Sequence, residues 1–209
     1  FHPDKNNFGP LRVFNDDLIQ AGKGFDFHQH RDMEIVTYVT EGILEHKDNF
    51  GNNGIIETGE VQRMSAGTGV FHSEYNHSNQ NPLKLLQIWI FPNKKGLKPS
   101  WEERKFTKDD RLDKLLCLVS SNQTDSSLLI HQDVSFYVSR LENGEVNHKF
   151  TEGRLGYLFV INGKLKVNGM ELDTKDAVKI QHEKSIIMKS SGSSELILLD
   201  LPTKYDSAK

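Results

Sequence analysis

The stretch from Gly24 to Asn76 constrains the fold of this chain more than any other part of it. It opens with GFDFHQHRDMEIVTYVTEG and closes with GEVQRMSAGTGVFHSEYN, and strand-like runs lie between its glycines. Short β-branched runs with turn signals every eight to twelve residues or so are typical of an all-β barrel. We therefore predict that this stretch folds into a small β-barrel.

The same stretch holds two pairs of potential metal ligands, each with one residue between its members. The first pair is His28 and His30, and the second is His72 and Glu74. Successive side chains of a β-strand point to opposite faces, so the members of a pair share one face, ~6–7 Å apart. A barrel that folds one pair against the other brings four ligands together.

The whole sequence divides into two β-rich halves. LKLLQIWIF, residues 83–91, is apolar on both faces and predicts a buried strand that ends at Pro92. The charged residues from 92 to 113 lack strand periodicity, and we expect a connector with one short helical turn near Trp101 to Arg104. Asn-Gly pairs then predict hairpin turns at 143–144, 162–163 and 168–169. We predict an N-terminal metal-binding domain with the connector, residues 1–112, and a C-terminal domain without metal ligands, residues 113–209.

An internal repeat supports the difference between the two halves. YVTEGILEH aligns with FVINGKLKV, which places Gly42 on Gly163, and GEVQRMSAGTGVFHSE aligns with KDAVKIQHEKSIIMKS. These alignments put other residues at the four ligand positions of the second half: Lys149, Thr151, Met188 and Ser190. We therefore expect one metal per chain, although a shift of one or two residues would bring His148 or His182 close to these positions.

Charge and cysteine content exclude several classes of protein. The net charge is −3 and the pI is about 6.3, with both signs interspersed, so direct binding to nucleic acid or to an anionic membrane is disfavoured. The single cysteine, Cys117, excludes an internal disulfide and is expected to be a small buried hydrophobic residue. No apolar run is long enough to cross a membrane and no signal peptide is evident, so we expect a cytoplasmic protein.

The wider spacing around the ligand pairs resembles the two cupin motifs. Ser65 stands where those motifs usually have proline, and one extra residue precedes His72. The residues that match are Gly24, His28, His30, Glu34, Gly59, Gly67, His72 and Asn76. Four sequence segments are similar to those of pirins, a bicupin family: HRDMEIVTYVTEGILEHKD, GEVQRMSAGTGVFHSE, LLQIWIF and FGPLRVFNDD. The resemblance is dense over residues 8–91 and thinner to the end of the chain, and it implies an all-β fold of two tandem cupin barrels joined by short helical turns.

The resemblance to pirins also implies a site. It makes His28, His30, His72 and Glu74 the ligands of one metal ion, whereas Glu34 is the ligand of the general cupin pattern. The residues alone leave open which glutamate binds, and Glu34 is equally open to a supporting role or a salt bridge. Three imidazoles and one carboxylate without a thiolate favour Fe(II), with Ni, Cu, Co or Mn as alternatives.

Pirin-like relatives further imply quercetin 2,3-dioxygenase activity on a small aromatic, flavonol-like substrate with O₂. In that reaction Glu74 would be the catalytic base for the 3-hydroxyl group of the flavonol. The alternative is a non-enzymatic, iron-dependent redox sensor that binds a protein partner. A cupin that binds metal without turnover is a third possibility.

Several other residues near the motifs are weighed on their chemistry. His46 and His77 lie off the spacing of the ligand pairs and are expected to be exposed, and His131 is assigned to the half without ligands. Gln87 is polar within an otherwise apolar strand, which makes it a candidate for lining the site. Core positions are expected for Trp89 and Phe27.

Overall fold

The computed structural model describes residues 7–122 and 127–205, and it divides into two compact units. The first unit runs to Lys105 and also includes Ile130–Gln132 and Tyr205, and the second consists of Phe106–Leu129 and Asp133–Lys204. The domain boundary proposed after residue 112 stays a prediction about where each domain begins along the chain. Within the described residues, no helix is long and apolar enough to cross a membrane.

The first unit is built from two antiparallel sheets. One sheet has five strands in the order β1, β8, β3, β6 and β9, whose bounds are Leu11–Ile19, Leu83–Ile90, Glu34–Glu41, Val61–Ser65 and Ser100–Arg104. The other has four strands in the order β2, β7, β4 and β5, whose bounds are Gly24–His30, Val70–Asn76, Ile43–Asp48 and Asn53–Glu57. This arrangement confirms the predicted strand at 83–91, which lies between β1 and β3.

Apolar side chains from both sheets form the core of this unit. Val39 of β3, Leu44 of β4 and Ile56 of β5 pack with Leu83 and Leu85 of β8, and all are at most 2% exposed. Gly42 connects β3 to β4 with a φ of 89°, a backbone conformation that residues other than glycine rarely adopt. The tight turn brings β4 back over the core, so Leu44 enters it.

The connector prediction is wrong at Trp101. Residues Ser100–Arg104 form strand β9, which pairs with β6 so that Trp101 lies opposite Met64. The free edge of β6 provides backbone hydrogen bonds for this segment, which local sequence pattern cannot reveal. The only helical turn described in the connector is a 3-10 turn at Asp109–Arg111.

The second unit repeats the two-sheet plan. Its larger sheet has the order β11, β10, β12, β19, β14 and β17, with bounds Leu128–Leu129, Leu116–Ser120, Ser135–Glu142, Ser193–Pro202, Arg154–Asn162 and Ala177–Ile180. The smaller has the order β13, β18, β15 and β16, with bounds Glu145–Lys149, Ser185–Lys189, Leu165–Val167 and Met170–Leu172. The predicted all-β bicupin fold is therefore confirmed.

Local details of the second unit agree with the sequence patterns. Asn143 and Asn168 have φ values of 55° and 44° at their hairpin turns, as Asn-Gly turns require. Cys117 is half-buried in β10 rather than fully buried, and burial raises the pKa of its thiol to about 11. The thiol is therefore protonated at neutral pH.

Candidate metal centre

Three histidines of the first unit converge on one point. His28 and His30 lie on β2, and His72 lies on β7 directly opposite His28. The centroid of the His72 ring is 4.4 Å from that of His28 and 5.0 Å from that of His30. One ring nitrogen from each histidine falls within 4.8 Å of those of the other two. The three histidines therefore form a group that could hold one metal ion.

A β-bulge helps to aim these histidines. Phe25 pairs with Glu74 and His28 pairs with His72, so β2 uses three residues where β7 uses two. An extra residue of this kind turns the following side chains relative to a regular strand. The bulge therefore places Phe25 and His28 on the same face as Glu74 and His72.

The hydrogen bonds of His28 fix which nitrogen is free to bind a metal. Its Nδ1 lies 2.7 Å from the carbonyl oxygen of Asp26. Because a carbonyl oxygen can only accept, Nδ1 carries the proton and donates it. In the neutral imidazole the lone pair therefore lies on Nε2, which is the arrangement of a histidine ligand whose other nitrogen bonds a backbone carbonyl.

Burial keeps the other two imidazoles neutral. It lowers the pKa of His72 to about 2, assisted by the nearby His28, His46 and His30. It also lowers the pKa of His30 to about 4, with His28 as the second cause. The Nε2 atom of His72 is buried without a hydrogen-bond partner among the described residues. Neutral imidazoles with free lone pairs are the form that binds a transition metal, so the cluster fits such an ion.

Glu74 is held at both carboxylate oxygens. Gln62 donates its amide N–H to Oε1 at 2.7 Å, and Gln87 donates to Oε2 at 2.7 Å. Both glutamines are themselves oriented, because Trp101 donates its indole N–H to Oε1 of Gln62 and Trp89 donates to Oε1 of Gln87. Glu74 is 2% exposed, and burial raises its pKa, while the bond from Gln87 and the proximity of His28 oppose that rise.

The expectation that His46 is exposed is wrong. His46 is fully buried, stacks on Trp101 and lies with its Nδ1 3.5 Å from Nδ1 of His72. Together with His72 and Glu74 it forms a second group whose potential ligand atoms lie within 4.8 Å of one another. Its burial comes from strands distant in sequence, so its local spacing gave no signal.

Glu34, which is buried, pairs with the partly exposed His131 elsewhere in the first unit. Glu34 is fully buried, and its Oε2 accepts hydrogen bonds from Ser65 Oγ at 2.9 Å and from the His131 backbone N–H at 3.2 Å. Neither candidate ligand group in the described residues includes Glu34. The assignment of His131 to the half without ligands is wrong, because Ile130–Gln132 belong to the first unit.

Gln87, His77, Trp89 and Phe27 differ in how far they lie where the sequence predicts. Gln87 lines the site, as its bond to Glu74 shows, and His77 is exposed as expected. Trp89 is partly buried and packs edge-on against His30 with 4.9 Å between ring centroids. The core assignment of Phe27 is wrong, because it lies at the bulge of β2 and is 58% exposed. No signal in the sequence had singled out Gln62.

Strand pairing corrects the repeat alignment. Gly42 and Gly163 occupy equivalent turns, and in the strands that follow them His46 pairs with Glu74 and Val167 pairs with Met188. Met188 therefore corresponds to Glu74 rather than to His72. By the same register Ile186 corresponds to His72, and its partner His148 corresponds to His28. Lys149, Thr151 and Ser190 are displaced from the predicted positions by one or two residues.

His148, at the position of the second unit that corresponds to His28, belongs to a cluster of ion pairs. His148 Nε2 lies 2.7 Å from Oδ2 of Asp200, and Arg154 Nε lies 2.6 Å from Oδ1 of the same carboxylate. Arg154 also pairs with Asp133 at 2.7 Å. No candidate ligand group occurs in this unit within the described residues. A guanidinium thus supplies positive charge beside the position equivalent to His28.

Two cupin-type β-units follow one another along the chain, and the first holds two overlapping candidate ligand groups that share His72, one with His28 and His30 and the other with His46 and Glu74. These features define a bicupin with a candidate metal centre in its first unit. A family model described as Pirin matches residues 1–90, and one described as the quercetinase C-terminal cupin domain matches residues 117–201. The quercetin 2,3-dioxygenase of Escherichia coli K12 is 41% identical over 203 residues, which cover 97% of this chain and 87% of the relative. This chain belongs to the pirin family.

Two further comparisons agree with this membership. A pirin-like protein of Caulobacter vibrioides is 40% identical over 202 residues, covering 96% of this chain and 87% of the relative. The crystal structure of the bacterial pirin YhhW from Escherichia coli in complex with nickel(II) superposes with a TM-score of 0.91. It is 40% identical in sequence, and the match covers 98% of this chain and 87% of the other.

Proposed function

We propose that this chain is a metal-dependent dioxygenase of the quercetin 2,3-dioxygenase type. The observation that carries the proposal is the convergence of three imidazoles, with the buried carboxylate of Glu74 in an overlapping group that shares His72. Relatives at about 40% identity that are named quercetin 2,3-dioxygenase, or solved with nickel(II), support it.

We assign His28, His30, His72 and Glu74 as the ligands of one Fe(II). The hydrogen bond at Nδ1 of His28 and the unpartnered, buried Nε2 of His72 support the histidines. After accepting one amide N–H, each oxygen of Glu74 keeps a second lone pair for a metal or for a substrate proton. Ni, Cu, Co and Mn accept the same donor set.

A divalent transition metal in this site would act as a Lewis acid and as a template for a substrate oxygen. Glu74 accepts the proton of the 3-hydroxyl group of a flavonol, and the burial that raises its pKa makes it a stronger proton acceptor than an exposed glutamate. Gln62 and Gln87 hold the carboxylate in place during this transfer.

An aromatic substrate finds aromatic surface beside the histidines. Phe25 is 48% exposed, and its ring centroid is 6.4 Å from that of His28 in an edge arrangement. Trp89 lies against His30 on the same site. Rings of this kind favour edge and offset contacts with a planar aromatic ligand, as a flavonol would provide.

The test measures bound metal and turnover in the same preparations. We expect His28→Ala, His30→Ala and His72→Ala each to lose most of the metal, because each removes a whole coordination bond. The control is His77→Ala, which removes an exposed histidine outside the cluster and should retain metal. Full metal in all three ligand variants, measured by elemental analysis, would reject the assignment.

Turnover is followed as loss of quercetin absorbance under O₂ with the iron-loaded protein. We expect consumption by the wild type and by His77→Ala, and none by the metal-depleted variants. An iron-loaded wild type that consumes no quercetin would favour the alternative of a redox sensor that binds a protein partner.

A further inference from the structure

We propose that Trp101 is a positioning residue for the metal centre, because it holds Glu74 and His72 at the same time through one intermediate side chain each. The proposal rests on the metal site assigned above. Trp101 touches neither candidate ligand through a hydrogen bond of its own. Its indole N–H acts through Gln62, and its ring face acts through His46.

The first contact fixes the orientation of an amide. Trp101 Nε1 lies 2.8 Å from Oε1 of Gln62, and an indole nitrogen can only donate a hydrogen bond. The oxygen end of the Gln62 amide must therefore face Trp101, and its NH₂ end must face Glu74 Oε1, at 2.7 Å. Gln62 is 2% exposed, so water cannot easily replace either partner. Without the indole N–H, Oε1 of Gln62 loses this donor, and the amide is held only through its NH₂ group, which bonds Glu74 and lies 3.3 Å from Oγ1 of Thr37.

The second contact fixes the plane of a ring. The imidazole of His46 stacks on the indole of Trp101, with 5.1 Å between centroids and an angle of 14° between planes. Nδ1 of His46 lies 3.5 Å from Nδ1 of His72, so the position of the first ring limits that of the second. His46 is fully buried, and the indole forms one wall of its enclosure.

A glycine creates the space that the indole occupies. Gly54 lies directly opposite His46 in the pairing of β4 with β5. A Cβ atom at residue 54 would be 2.4 Å from Cζ2 and 2.5 Å from Cη2 of Trp101. The absence of a side chain at Gly54 therefore lets the indole of β9 lie over the His46 ring. Because residue 54 has no side chain, Trp101 of the edge strand β9 can contact His46 beside the metal centre.

This arrangement predicts a specific loss when parts of the indole are removed. Partners of metal ligands typically contribute a factor of about 10 to 100 in metal affinity. Trp101→Phe keeps an aromatic ring for His46 but deletes the N–H, and we expect nickel(II) to bind ~10-fold more weakly. Trp101→Leu deletes both contacts, and we expect a loss of ~100-fold.

Gly54→Ala tests the same idea without changing Trp101. The added methyl group must displace the indole, so we expect weaker binding of nickel(II), similar to that of Trp101→Leu. The matched control is Gly192→Ala in the second unit, where a Cβ atom meets no atom within 4 Å. That control should leave affinity unchanged.

The experiment measures nickel(II) affinity by competition with a chelator, and the visible absorption of the cobalt(II)-loaded protein. A changed cobalt(II) spectrum in a folded Trp101→Phe variant reports altered ligand geometry, which a merely stabilising residue would not cause. Circular dichroism of the metal-free variants checks that each is folded, and Trp101→Phe decides if the other two are not.

Two failures are distinguishable. If the wild type binds nickel(II) and His72→Ala does not, but Trp101→Phe matches the wild type in affinity and spectrum, Trp101 is not a positioning residue. If the wild type itself binds no nickel(II), or His72→Ala binds it as tightly, the metal site is wrong and this proposal is rejected with it.

Discussion

At the scale of single residues, hydrogen bonds hold both carboxylate oxygens of Glu74. Both oxygens accept amide N–H groups, and two indoles prevent those amides from turning. Donors at both oxygens favour the ionised carboxylate, while burial opposes it. The carboxylate is therefore buried and held at both oxygens, which suits a ligand whose position must not change.

This geometry sharpens the test of Glu74 as the base. In Glu74→Gln one oxygen becomes an NH₂ group, which must face the NH₂ of Gln62 or of Gln87. We expect turnover of quercetin to fall by about 10² to 10⁴, because the proton acceptor is lost. We also expect a lower melting temperature, because two buried donors are left facing each other.

The double variant Glu74→Gln with Gln87→Glu separates these two effects. The exchanged pair again matches a donor with an acceptor, so the melting temperature should recover while turnover stays low. Quercetin consumption at the wild-type rate by a metal-replete Glu74→Gln single variant would discard Glu74 as the base.

Local sequence identifies some residues of the candidate site and misses others. His28, His30, His72 and Glu74 were identified as candidates because strand geometry makes an i, i+2 pair share a face. The roles of Gln62, His46 and Trp101 were missed, because each depends on which strands become neighbours. Polar residues buried by distant strands carry no periodic signal of their own.

At the scale of strands and turns, sequence pattern predicts elements well and pairing poorly. The strand at 83–91 and the Asn-Gly turns follow from alternation and from the positive φ that asparagine and glycine tolerate. Strand β9 was missed because SWEER is short and charged, and only the free edge of β6 makes it a strand. The predicted register of the second unit was wrong by one or two residues. A shift of one residue moves a side chain to the opposite face of the strand.

The ion-pair cluster of the second unit provides a prediction about strand β14. Arg154 bonds Asp133 and Asp200, and Asp200 is 8% exposed. We expect Arg154→Leu to lower the free energy of unfolding of this unit by about 3–5 kcal/mol, because it leaves a buried carboxylate without its cation.

The matched control is Arg140→Leu on neighbouring strand β12, which breaks the exposed pair of Arg140 with Glu142. Exposed pairs contribute about 0–1 kcal/mol, so that variant should unfold nearly as the wild type does in urea. Equal effects of the two substitutions would contradict a structural role for the Arg154 cluster.

At the scale of the whole molecule, one fold occurs twice with different chemistry. The positions equivalent to His28, His72 and Glu74 hold His148, Ile186 and Met188. Apolar side chains at two of these three positions are the reason to expect no metal site in the second unit. The expected absence of a site in the second unit therefore rests on corrected residues, although the sequence alignment reached it through others.

We expect one metal ion per chain. His28→Ala should lose it, and His148→Ala should keep it, because the equivalent histidine of the second unit bonds Asp200 instead. Elemental analysis after dialysis measures the ratio of metal to protein for both variants. Two dialysis-resistant equivalents in the wild type, with one lost in His148→Ala, would show that the second unit binds metal as well.

Glu34 gives the chain a property that its linear order hides. The carboxylate lies at the start of β3, yet two of its three hydrogen bonds come from His131, almost a hundred residues later. Ile130, beside it, is 1% exposed, and Gln132 donates to the carbonyl oxygen of Phe91 at 2.9 Å. Truncation of the chain anywhere between residues 106 and 129 would thus produce a first unit that lacks residues 130–132. The two β-rich halves follow one another along the chain, but a cut in this range does not separate the two units.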